Sequence, residues 1–125
     1  DVQSYGGFME LEMLLGMSEE EANIIGFRGS PVGSKLAGSS DLWWDDDILV
    51  NNSEFGTSGF NFLPAGYRSA SDGAYDGMGN FGDFWSSSEY GSDTAWGRGL
   101  NYDYSGVGRY DGGKQYGVSV RCLGD

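Results

Sequence analysis

The chain has 125 residues, enough for one domain with an ordinary buried core and too few for a second. Its 19 Asp and Glu against 7 Lys and Arg leave a formal charge of −12, a surface that repels phosphate backbones and anionic headgroups, so neither nucleic acid nor a membrane surface is expected as a partner. Histidine is absent and Cys122 is the single cysteine, which excludes a Ser-His-Asp triad, a Cys-His pair, His-ligated zinc or iron, an intrachain disulfide and any cysteine-rich metal site.

No apolar run reaches membrane-spanning length, so no membrane insertion is expected. Neither a signal peptide nor an initiator Met precedes Asp1, and the expectation is a piece trimmed from a longer, multidomain chain. Phe8, Leu11, Leu14 and Leu15 share one helical face, with Glu10 and Glu12 outside it, and predict a short amphipathic helix ending at Gly16. Ser18 and Glu21 form a capping box that opens a second helix, stopped at Gly26, with Ala22, Ile24 and Ile25 as its apolar residues. Both helices are read as covers for a sheet.

From Arg28 to Asn52 the texture is loop, running through Gly29-Ser30-Pro31, Gly38-Ser39-Ser40 and Trp43-Trp44-Asp45-Asp46-Asp47. Asp45, Asp46 and Asp47, near Asn51, Asn52 and Glu54, are the metal candidate, with calcium as the cation; the competing reading is a solvated loop, because contiguous acids seldom face one ion. Beyond Gly56 the chain is rich in Gly, Ser, Asn, Asp and aromatics. Period-two runs predict hairpin strands, with Trp96, Arg98, Leu100 and Tyr102 on one side and Val118, Val120 and Cys122 in the last strand. Two short N-terminal helices followed by short strands and long loops predict an α+β fold with one antiparallel sheet system.

Several segments resemble the Fibrobacter succinogenes major paralogous domain in order and spacing. They are Leu15-Gly16-Met17-Ser18, Gly26-Phe27-Arg28-Gly29-Ser30, Val32-Gly33-Ser34-Lys35-Leu36, Phe55-Gly56-Thr57-Ser58-Gly59-Phe60 and Leu63-Pro64-Ala65-Gly66-Tyr67-Arg68. Phe84-Trp85-Ser86-Ser87-Ser88-Glu89, Ala95-Trp96-Gly97-Arg98-Gly99-Leu100, Val107-Gly108-Arg109 and the run from Lys114 to Cys122 continue the likeness. The resemblance implies a secreted or bacterial cell-surface protein and a single C-type-lectin-like domain over residues 1–125, with two short N-terminal helices and a twisted antiparallel sheet with long loops. The stretch from Asp1 to Phe8 departs from the family's Trp-x-Val-Pro-Thr opening, and the Glu-Pro-Asn, Gln-Pro-Asp and Trp-Asn-Asp triplets of calcium-dependent sugar binding are missing.

Arg68, Trp85, Arg98, Arg109 and Arg121 lie inside the shared motifs and are read as structural, since an arginine in a compact acidic domain anchors loops through several hydrogen bonds. Between the motifs Tyr, Ser, Gly, Asp and Asn dominate, the vocabulary of antibody loops. Tyr75, Tyr90, Trp96, Tyr102, Tyr104, Tyr110 and Tyr116 are the ligand-binding candidates, because so many aromatics exceed what a small core can bury, and Asp93, between the motifs, joins them. The expected function is non-enzymatic: an adhesin or recognition domain that binds a glycan or a protein without a cofactor. One alternative is a binding protein varied by a diversity-generating retroelement, whose adenine mutagenesis of asparagine codons yields this vocabulary except at Gln115. Another is an assembly domain of a surface protein. Catalysis is not expected, since the superfamily's catalytic branch uses several cysteines and no carboxylate pair stands out.

Overall fold

The computed structural model describes residues 7–44, 47–89, 94–113 and 119–120, with 84–89, 94 and 119–120 described by backbone alone. The elements in chain order are α1 (Phe8–Leu14), α2 (Glu19–Ala22), β1 (Gly26–Arg28), α3 (Val32–Leu36), a 3-10 turn (Ser40–Leu42) and α4 (Ile48–Asn51). The strands β2 (Tyr67–Arg68), β3 (Tyr75–Asp76), β4 (Phe81–Glu89), β5 (Thr94–Asn101), β6 (Val107–Gly113) and β7 (Ser119–Val120) follow. The architecture is α+β. Among the described residues a five-stranded sheet runs in the order β1-β6-β5-β4-β7, and β2 and β3 pair as a separate two-stranded ribbon. All neighbours are antiparallel except β4 and β7, which run parallel, so the expected all-antiparallel sheet is corrected at that edge.

Ser18 caps α2 as expected: its side chain accepts from the Glu21 N–H at 3.0 Å. The helix stops at Ala22, however, and Ile24 and Ile25 are exposed rather than packed, because the chain turns at Asn23 and enters the edge strand β1. In α1 the buried residues are Phe8, Met9 and Glu12, while Leu14 is 79% exposed, so the inward face is rotated from the one the leucines suggest.

The reason for that rotation is charge pairing. Glu12 is 0% exposed and accepts two forked arginine pairs. Arg28 of β1 donates from Nη1 and Nη2 at 2.9 Å each, and Arg98 of β5 donates from Nε at 2.9 Å and Nη2 at 3.1 Å. Arg28 also donates to the carbonyls of Ile24, Val107 and Ala22, so all five of its N–H groups are used. One carboxylate thus fastens α1 to both an edge and a central strand, while Arg28 gathers the end of α2 onto the same point. Burial pulls the Arg98 pKa down and the Glu12 charge beside it opposes that pull.

The segment 28–52, expected as loop, holds α3, the 3-10 turn and α4. Helices of four or five residues are shorter than the stretch over which a 3.6 period can be seen. Val32, Leu36, Ala37, Trp43 and Leu49 from this segment join Phe8, Met9, Met17, Ala22, Phe62, Leu100 and Val107 in the core. Helix α3 lies so close to the turn before β6 that a Cβ on Gly33 would sit 2.2 Å from the Gly106 carbonyl oxygen. Gly33→Ala is expected to cost about 1–3 kcal/mol, read as a lower denaturant midpoint at unchanged slope, because backbone rather than a side chain must give way.

Candidate functional site

Between the segment after the 3-10 turn and the β2–β3 ribbon lies an open cleft of about 310 Å³, lined among the described residues by Trp44, Ala65, Tyr75, Asp76, Gly77, Met78 and Asn80. The local sequence explains its shape. Gly66, at φ 69°, lets β2 start against the β3 backbone, since a Cβ there would lie 2.2 Å from the Asp76 carbonyl oxygen. Asp72 holds the ribbon's turn by accepting from the Ala74 N–H at 3.0 Å. The loop after β3 is fastened on both sides, with the Gly79 N–H donating to Pro64 O at 2.9 Å and the Trp44 N–H donating to Gly79 O at 2.7 Å.

Trp44 is 52% exposed yet braced. Its ring meets Tyr102 edge to face at 5.9 Å between centroids, and its indole lies where a Cβ on Gly79 would come within 2.5 Å of Nε1. Tyr75 is 79% exposed, and the Arg68 guanidinium lies 5.7 Å from its ring centre. Asp76 is exposed and uses Oδ1 to accept from the Gly77 N–H at 2.8 Å. The Asn80 Oδ1 is buried and has no hydrogen-bond partner among the described residues.

A second polar feature sits on the sheet face opposite Glu12. Asp83 of β4 pairs with Gly99, and Tyr110 of β6 with Gly97, so both side chains lie over glycines that leave them room. Asp83 Oδ1 and Tyr110 Oη are both buried and, among the described residues, without a hydrogen-bond partner. Burial pushes the Asp83 carboxyl up to about 6, and the neighbouring Tyr110 hydroxyl draws it partly back. Burial also raises the Tyr110 phenol, with the Asp83 charge adding to the effect.

The family model of the Fibrobacter succinogenes major domain matches residues 3–123. The chain belongs to this family. Searches among curated proteins and among solved structures found no match. In this Fibrobacter succinogenes major domain no helix among the described residues is long and apolar enough to cross a membrane.

Among the described residues, the ligand-binding candidates Tyr75, Trp96, Tyr102, Tyr104 and Tyr110 lie in different parts of the domain. Tyr75 lines the cleft and Tyr102 stands behind it, half-buried against Trp44. Tyr104 is exposed and meets Phe27 edge to face at 5.5 Å, beside the edge strand β1. Trp96 and Tyr110 lie on opposite faces of the sheet, because Trp96 pairs with Asp111 and Gly97 with Tyr110. Trp96 is covered by the Arg109 guanidinium at 4.0 Å, and Arg109 also donates to Asn23 O at 2.9 Å. Among the other arginines, Arg98 holds Glu12, and Arg68 donates from Nε to Gly73 O at 3.0 Å. Tyr90, Asp93, Tyr116, Arg121, Cys122, Asp45 and Asp46 lie outside the described residues, and Trp85 is described by backbone alone. Asp47 caps α4, its carboxylate accepting from the Ile48 N–H at 2.7 Å.

Sequence reasoning passed over Trp44, Met78 and Asn80. Trp43 is buried and donates its indole N–H to Gly38 O at 3.0 Å, while its neighbour Trp44 is half exposed.

Proposed function

We propose that this domain is a non-enzymatic recognition module of C-type-lectin-like fold, part of a larger secreted or cell-surface protein, which binds a glycan or a protein through exposed aromatic rings. The observation that carries the proposal is Trp44, an indole held by a hydrogen-bonded backbone, a glycine and Tyr102, yet half open to solvent beside Tyr75. A ring fixed before its partner arrives loses little conformational entropy on contact, and rings of this kind stack on sugar C–H faces or anchor protein interfaces. The reading needs no cofactor.

The test is binding to an array of bacterial, plant and host glycans with two double variants alongside. Trp44→Ala with Tyr75→Ala is expected to weaken binding at least about tenfold, the loss typical of one anchoring ring. Trp96→Ala with Tyr104→Ala serves as the comparison. If only that second variant loses binding, the site belongs to the C-terminal loops instead; an array silent for the unaltered domain removes the glycan half of the proposal.

An assembly role is the second reading. It is favoured by exposed Ile24, Ile25 and Phe27, which sit at or beside the edge strand β1. Sedimentation that shows a concentration-independent monomer would exclude it.

A further inference from the structure

The chain holds three Asp-Gly pairs, at 72–73, 76–77 and 111–112, all among the described residues. An aspartate followed by glycine is prone to react with its own main chain, because the nitrogen of a residue without Cβ can reach the preceding carboxyl. The fold treats the three pairs differently. Asp111 and Gly112 lie inside β6, paired with Trp96 and Ala95 of β5, and the ladder opposes the rotation that would bring nitrogen and carboxyl together. Gly73 donates its N–H to Ser69 O at 3.0 Å, and the Asp72 carboxylate reaches past it to the Ala74 N–H at 3.0 Å. Asp76 is exposed at the end of the two-residue strand β3, and Gly77 lies just outside that strand at φ 78°. Its Oδ1 is 2.8 Å from the Gly77 nitrogen, so this is the pair in which the carboxyl is held against the nitrogen that follows it.

We infer that Asp76–Gly77 is a self-modification site, at which the domain forms isoaspartate and thereby loosens its own cleft. The Gly77 nitrogen attacks Cγ of the Asp76 carboxyl in its acid form. The N–H proton and the hydroxyl leave as water, and a succinimide ring closes. Water then opens the ring at either carbonyl. Breaking the bond from nitrogen to Cγ restores aspartate. Breaking the bond from nitrogen to the former main-chain carbonyl leaves the chain running through Cγ, one carbon longer, with the old carbonyl as a free carboxylate. One water leaves and one returns, so the step requires no other reagent.

The change falls where the main chain has no room. A Cβ on Gly66 would lie 2.2 Å from the Asp76 carbonyl oxygen and 2.9 Å from the Met78 nitrogen. A charged carboxylate in place of that carbonyl disrupts the pairing of Tyr67 with Asp76, and a two-stranded ribbon has little stability of its own to resist it. Gly79, three residues on, bonds both Pro64 O and the Trp44 N–H, so the brace on the indole loosens with the ribbon, whatever the cleft binds.

The test keeps the intact domain warm at neutral pH in water enriched in heavy oxygen. Each ring opening builds in one such atom, which peptide fragmentation in a mass spectrometer then locates. Asp76 is expected to gain most of the label, with Asp72 and Asp111 several-fold behind. In urea, where the fold no longer chooses, the three are expected to label alike. Over the same storage the NMR signal of the Trp44 indole N–H, assigned from a Trp44→Phe variant, is expected to split, with a shifted peak that grows with the label. Asp76→Glu would have to close a larger and slower ring, so it is expected to lose the label at this position and to keep a single Trp44 signal. A melting temperature equal to that of the fresh unaltered domain shows that this variant is folded.

Equal labelling of the three pairs in the folded domain, or a lead for Asp72 or Asp111, would overturn the site. So would a lead for Asp76 that persists unchanged in urea, since the local sequence and not the fold would then select it. A labelled Asp76 with a single, unmoved Trp44 signal would overturn the effect on the cleft.

Discussion

Glu12→Ala is expected to destabilise the domain by about 3–5 kcal/mol, a large share of the roughly 5–15 kcal/mol by which a domain is stable. The carboxylate is fully buried and receives four N–H bonds from Arg28 and Arg98, so its loss leaves two guanidinium groups facing each other out of water. Arg28 keeps three carbonyl partners, whereas Arg98 is left with the Gly97 carbonyl at 3.2 Å and the Phe8 ring at 5.2 Å. The cost therefore falls mostly on Arg98 and on the attachment of α1. Glu12→Gln retains the shape and loses the charge, and is expected to recover only part of the loss. Urea denaturation of the three proteins checks the order. A variant carrying Glu12→Met, Arg28→Leu and Arg98→Met is expected to exceed Glu12→Ala in stability, because a buried ionic group removed whole leaves no uncompensated charge. If Glu12→Ala instead loses under about 1 kcal/mol, the ion cluster is not what holds α1 to the sheet.

This cluster also shows what a sequence hides. The period-two run Trp96, Arg98, Leu100 made strand β5 legible, and Arg98 stood out as an arginine inside a shared motif. Its partner was not, because hydrophobic periodicity sorts a glutamate to the solvent side, and only the third dimension brings residues 12, 28 and 98 together. The Ser18 cap was readable because donor and acceptor lie three residues apart. Leu14, Ile24 and Ile25 misled for the opposite reason: their burial depends on where short elements turn, which no local pattern records. In the cleft, Tyr75 was legible as an aromatic in excess of the core's capacity. Trp44 was not, since its exposure follows from the burial of Trp43 and from contacts with Gly79 and Tyr102, distant in sequence. The family model spans nearly the whole chain, while the cleft's Trp44, Tyr75, Asp76, Met78 and Asn80 fall between the motifs shared with the family, and only Ala65 of the lining falls within one.

Asp83→Asn is expected to stabilise the domain at neutral pH and to do so less and less as the solution is acidified. Asp83 is buried over Gly99 and its carboxyl titrates at about 6 instead of 3.8, with burial as the main cause. The folded state therefore holds this proton more tightly than the unfolded state, and stability drawn from the group is fully present below pH 3.8 and lost as pH rises to about 6. At roughly 1.4 kcal/mol per pH unit the loss amounts to about 3 kcal/mol. Other carboxylates titrate over the same range, so the informative quantity is the difference between Asp83→Asn and the unaltered domain. That difference is expected to grow by about 2 kcal/mol between roughly pH 4 and roughly pH 7, measured by urea denaturation at each pH. Tyr110→Phe removes the hydroxyl that favours the charged form, so it is expected to move the transition to higher pH, and to do nothing once Asp83 is Asn. A difference that stays constant with pH would mean that Asp83 is charged in the folded state throughout, held by a partner outside the described residues. If the difference tracks pH as expected, this sheet face carries a neutral acid in acidic surroundings and a buried charge at neutral pH, and the strands β4, β5 and β6 that meet there are most firmly held when that acid is protonated.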